Sequence, residues 1–294
     1  MMTMSMLLAL LTGAVISIMV SINGGLTACV GEYTAAVVIH VVGTAFALIL
    51  CLLRREKIFA RRHAPAWAYL GGVIGVLTTF FNNFAFGRIS VTSLTALGLL
   101  GQTMTAALMD GLGLLGMPRR GVAKSTWIGM GISLVGVAVM LDASIADAAL
   151  AVVVSIAAGV TNVFSRTVNA RLSQKASALT GSFFNHLTGL PCCLLLWLLA
   201  GGTALKASAA PAPWMLCGGM LGVTVVLLLN ITVPRIAAFR LTLLSFLGQI
   251  FTGLAIDLAL GQNISGGLFW GGVICAAGFL ASMLIEMHNK KVKP

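Results

Sequence analysis

With 294 residues, 59% of them hydrophobic and 9% charged, and a mean hydropathy of +1.04, the chain has too little polar surface to cover a soluble globule and belongs in a lipid bilayer. Its net charge of +11 does not indicate nucleic acid, because the basic residues fall in short segments between apolar runs and no DNA- or RNA-binding motif is present. The class that remains is an all-α, polytopic membrane protein.

A transmembrane helix takes about 20 mostly apolar residues. Ten segments meet that pattern, at roughly 4–22, 34–53, 66–87, 91–116, 125–141, 148–168, 178–199, 213–233, 240–260 and 266–286. No basic region or small-residue cleavage site precedes the first segment, which reads as a retained helix rather than a signal peptide. If the amino terminus is cytoplasmic, the inside segments collect Arg54, Arg55, Lys57, Arg61 and Arg62, then Arg119, Arg120 and Lys124, then Arg166, Arg171 and Lys175. Arg235 and Arg240, and the final lysines 290, 291 and 293, complete the set. Of the Lys and Arg residues only Arg88 and Lys206 then fall outside, as the positive-inside rule requires, and Asp142 and Asp147 fall outside as well. Both termini are expected in the cytoplasm and the protein in a bacterial inner or plasma membrane. Trp67, Trp127, Trp214 and Trp270 stand near segment starts, where interfacial belts place tryptophan. The six cysteines show no pairing by spacing and read as small buried hydrophobes.

The chain repeats itself. Residues 23–43, NGGLTACVGEYTAAVVIHVVG, lie over 169–189, NARLSQKASALTGSFFNHLTG, at an offset of 146, which matches Asn23 with Asn169, His40 with His186 and Gly43 with Gly189. At an offset of 147, Gly71 and Gly72 meet Gly218 and Gly219, Asn83 meets Asn230, Arg88 meets Arg235, Thr95 meets Thr242, Gln102 meets Gln249 and Asp110 meets Asp257. The halves are 1–143 and 144–294. Each carries five spans, an odd number, so the second half enters the membrane from the opposite face and the repeats are inverted, an arrangement that recurs in secondary transporters.

These residues carry a resemblance. Two five-helix repeats with an Asn turn after the first helix, a third helix ending in NNFAFGRI (82–89) or NITVPRI (230–236), and the GQ of LLGQTMTAALMD and FLGQIFTGLAID together resemble the drug/metabolite transporter superfamily, in its YdcZ-type branch and in a fused two-repeat form. The resemblance implies a membrane permease for small metabolites.

Several residues could carry transport. Thr95, Gly98, Gln102 and Thr105 form one stripe at helical spacing, and Thr242, Ser245, Gln249 and Thr252 its counterpart. In lipid such a face turns toward other helices or a water-filled cavity; hydrogen-bonded packing is the alternative. Asp110 extends its stripe and is a candidate proton carrier. His40 and His186 are expected inside helices entered from opposite faces, where each either couples proton movement to solute, binds solute by hydrogen bonds, or simply donates to a neighbouring carbonyl. Asn23 and Asn169 are expected at helix ends, as caps, breaks or solute contacts, and Asn83 and Asn230 stand near the arginines that follow them. Pro191 is expected to bend the seventh segment beside His186. No Lys or Arg is expected deep in the membrane, which argues against a strongly anionic solute.

The leading function is a secondary active transporter of a small organic metabolite or drug-like solute, working by alternating access and driven by an ion gradient such as protons. The chain has no GxxxxGK[ST] fingerprint for ATP. A channel or lipid scramblase is the alternative, and an intramembrane enzyme the weakest, since neither HExxH nor GxSxG is present. The expected partners are the bilayer, a small-molecule solute and protons, with no nucleic acid, cofactor or metal. A monomer and a homodimer both fit.

Overall fold

The computed structural model of the chain describes residues 2–56, 58, 64–85, 88–89, 91–120, 124–141, 148–202, 211–259, 261 and 266–292. Lys57, Arg61, Arg62, Asp142, Asp147, Lys206 and Lys293, used above to assign topology, lie outside that set. Ten α-helices are present among the described residues: α1 (Met2–Val30), α2 (Glu32–Leu53), α3 (Gly71–Ala85), α4 (Val91–Leu112), α5 (Lys124–Met140), α6 (Ala149–Lys175), α7 (Ala178–Leu199), α8 (Cys217–Thr232), α9 (Ala238–Ala259) and α10 (Gly266–Val292). No β-strand occurs among the described residues. Seven helices, α1, α2, α6, α7, α8 with its leading turn, α9 and α10, are long and apolar enough to cross a membrane, and α3 and α5 are shorter apolar helices. Helix dominates because lipid offers no partner for backbone N–H and C=O groups, so each must be bonded within its own segment.

That pressure overrides two local signals. Asn23 and Asn169 neither cap nor break a helix: α1 runs on through Asn23-Gly24-Gly25 to Val30, and α6 runs through Asn169 to Lys175. The chain turns several residues later, at Gly31 with φ +80° and at Ser177, whose hydroxyl accepts from the Thr180 N–H at 2.9 Å and caps α7. Likewise α7 continues past Pro191 to Leu199.

The chain forms two compact units, and neither is a sequence half. One comprises residues 1–13, 78–163 and 236–294, the other 14–77 and 164–235. In the first, α5 and α10 form the most extensive helix pairing. Gly129 faces Ser282 and Gly136 faces Cys275 and Gly271, so the two helices run antiparallel. A Cβ on Gly136 would lie 2.7 Å from the Cys275 sulfur and the Gly271 carbonyl. Small residues permit that approach, and in lipid close backbone packing is what holds helices together.

In the second unit α2 pairs with α7, and α8 packs against both. Trp197 Nε1 donates to Thr34 Oγ1 at 3.2 Å near one end, and Gly43 and Gly189 meet α7 and α2 residues further along, so this pair is also antiparallel. Leu172, Phe183, Phe184 and Val223 form its core, with Tyr69 edge-on to Phe184 at 4.8 Å between ring centroids. At the other end of α7 the Glu56 carboxylate accepts from the hydroxyls of Ser177 and Thr180. In both units the most extensive pairing joins helices that are equivalent in the internal repeat.

Candidate functional site

The two repeat-equivalent histidines meet. His40 on α2 and His186 on α7 lie with ring centroids 5.8 Å apart and planes at 49°, and His186 is only 4% exposed. Each ring rests on the other repeat's glycine. A Cβ on Gly189 would come within 2.7 Å of His40 Nε2, and one on Gly43 within 2.9 Å of His186 Nε2. Each Nδ1 donates to the carbonyl one turn back, His40 to Ala36 and His186 to Ser182, both at 2.9 Å. With Nδ1–H fixed in that way, the neutral ring presents Nε2 as a hydrogen-bond acceptor. Cys193 Sγ lies 3.4 Å from His40 Nδ1, and Gly222 of α8 faces His186 Nε2. The arrangement is a pair of acceptors able to hold a proton or a donor group of a solute.

The asparagines repeat the pattern less evenly. Asn169 packs on Gly71 and Asn23 on Gly218, again across the repeat. Asn169 Nδ2 donates to Asn185 Oδ1 at 2.7 Å, whereas the position equivalent to Asn185 is Ile39, and Asn23 Oδ1 is enclosed without a hydrogen-bond partner. Asn230, 3% exposed, donates to the Ala178 carbonyl at 2.9 Å while its Oδ1 is likewise enclosed and unpartnered. The Asn83 and Asp257 side chains lie outside the described residues.

The polar stripes belong to the other unit, where α4 and α9 pack together. Thr242 is buried and donates to the Ala238 carbonyl at 2.9 Å, and Gln249 Nε2 donates to the Ser245 carbonyl at 3.3 Å. Gln102 and Thr95 are half-buried, and the Gln102 backbone packs on Gly159 of α6. Asp110 meets the start of α9. Its two carboxylate oxygens accept from the Ala238 and Phe239 N–H groups at 2.8 and 3.0 Å. It therefore caps the first turn of α9 from the end of α4, where the helix dipole favours a negative charge.

A model of the family described as "Putative inner membrane exporter, YdcZ" matches the chain twice, over residues 4–139 and 150–285. The chain belongs to this family. It is an inner-membrane protein of two repeats, and its general role is transport. A solved structure described only as "Crystal structure of protein" superposes with a TM-score of 0.71 at 15% identity, covering 99% of this chain and 98% of that one; at that identity the likeness shows the fold alone. No curated protein matches.

In this YdcZ-family chain, sequence reasoning missed two residues of note. Asn185 stands directly before His186, inside the repeated stretch, and its partnership with Asn169 was unmarked because the first repeat has isoleucine there. Arg166 was grouped with the inside basic residues. It lies within α6, only 5% exposed, in a run from Ser165 to Ala170 that is buried throughout. The signal was present in its position, nine residues before the end of α6.

Proposed function

We propose that the chain is a secondary active transporter that exposes one solute site alternately to the two sides of the membrane, moving a small organic metabolite or drug-like solute. In this reading all ten helices cross the bilayer as two inverted five-helix repeats, 1–143 and 144–294, with both termini cytoplasmic. The observation that carries it is the meeting of His40 and His186, each seated on the other repeat's glycine. Inversion is supported by the antiparallel run of equivalent helices, α2 with α7 and α5 with α10. The histidine pair takes up a proton, or a donor group of the solute, at Nε2 and releases it when the site faces the other way. Gln102, Gln249, Thr95 and Thr242 supply polar surface along α4 and α9, and Asn23, Asn169, Asn83 and Asn230 along their own helices. Export is the direction named in the family's description.

The test is flux through purified protein in proteoliposomes. Saturable, stereoselective counterflow driven by a pH gradient supports the reading. Flux that does not saturate favours a channel or scramblase. If the His40→Gln, His186→Gln double variant transports with an unchanged pH profile, the proton role of the pair is withdrawn.

A further inference from the structure

Arg166 raises a question the transporter reading leaves open, the charge of the solute. α6 has 27 residues, about 40 Å at 1.5 Å per residue, which exceeds the roughly 30 Å hydrocarbon core. Arg166 belongs to the apolar stretch of that helix, 148–168, toward the end that leads into Arg171 and Lys175. An arginine there for topology alone would reach out to the headgroups. Arg166 does not, since it is 5% exposed. Arg171 and Lys175, further along α6, are less enclosed and sit where topology needs them. Its neighbours along the helix are polar: Ser165 donates to the Gly71 carbonyl at 2.8 Å, and Asn169, one turn on, is tied to Asn185. A charge enclosed within a membrane-spanning helix is costly, and where it is retained it marks a solute or ion site. The residue is engaged within the protein, and the planar guanidinium fork of five N–H donors is the geometry that matches a carboxylate or phosphate in two parallel hydrogen bonds. The equivalent residue of the first repeat is Val20, so the charge breaks the internal symmetry, as a feature that reads the two ends of a solute differently must.

We propose that Arg166 anchors the anionic group, carboxylate or phosphate, of the solute; this rests on the transporter reading. The test begins with thermal melts of the purified full-length protein against benzoate, succinate and inorganic phosphate, with methyl benzoate and choline as uncharged and cationic counterparts. At least one anion is expected to raise the melting temperature by a few degrees at millimolar concentration, and the two counterparts are not. The charge-keeping Arg166→Lys variant is expected to weaken that anion about tenfold, since a point charge replaces a bidentate fork, and Arg166→Gln to abolish its shift. No shift with any of the three anions, an equal shift with methyl benzoate or choline, or a folded Arg166→Gln protein that keeps the full anion shift overturns the assignment. The comparison of benzoate with its methyl ester needs no variant and stands even if Arg166→Gln does not fold. An anionic lipid headgroup offers the same chemistry, so the melts are repeated with phosphatidylglycerol; a shift with lipid and none with soluble anions also overturns it. Counterflow separates the two claims. Anion binding without flux keeps the Arg166 site and removes the transporter reading, whereas flux of choline but not of the anions does the reverse.

Discussion

The two repeats are equal where the histidines meet and unequal among their neighbours. At His40 and His186 three features are doubled: a ring, an i−4 carbonyl that fixes its tautomer, and a glycine on the opposite helix that makes room for it. Beside them the doubling stops. Arg166 on α6 and Asn185 on α7 stand in the second repeat where Val20 on α1 and Ile39 on α2 stand in the first. In the proposed transporter, symmetry serves a site that is offered to both membrane faces. A solute with distinct ends needs the asymmetry, and so the differences between repeats are the better guide to what is bound.

The sharpest way to break this comparison is to fill the shared seat. Gly43→Leu and Gly189→Leu each place a side chain against a histidine of the other repeat, and each is expected to lower stability by about 1–3 kcal/mol through overpacking, read from thermal or denaturant unfolding. Equal losses support equivalence, and a loss on one side alone would break it. Next comes Asp110→Ala, which removes the carboxylate that receives two α9 amides and is expected to cost about 1–2 kcal/mol. Asp110→Asn should leave the pH profile of transport in place, and a displaced profile would restore the proton-carrier role.

A smaller effect tests the unequal region. Asn169→Leu loses the bond to Asn185 and leaves a buried amide oxygen unpaired, at a cost of about 1–2 kcal/mol, whereas Asn23→Leu removes an oxygen that already has no partner and should cost less. Melting temperatures that fall alike would show the two sites to be equivalent after all. The smallest concerns helix starts. Ser177→Ala removes the cap of α7 and is expected to cost about 1 kcal/mol or less, because the helix keeps its packing; α2 begins at Gly31 with no side-chain cap to lose.

Much of the fold was legible. The ten apolar segments each correspond to a helix, and the duplication that aligned His40 with His186 anticipated their kinship. Their contact was not legible, because two residues far apart in sequence carry no mark of the distance between them in space. The Asn turn misled for a local reason: Asn-Gly-Gly reads as a turn in water, but inside a long apolar segment an unsatisfied backbone costs more than the glycines do. The capping contact of Asp110 was not legible for a different reason, since its partners, two backbone amides of α9, lie far along the chain and show in no motif.

Composition and periodicity are properties of short stretches, and they sufficed to place this chain in lipid, count its apolar segments and expose its doubled ancestry. Which face of each helix is enclosed, and by what, depends on long-range packing. That packing alone brought the two histidines onto each other's glycines, gave Asn169 a partner that Asn23 lacks, and drew Arg166 out of the basic fringe into the protein interior.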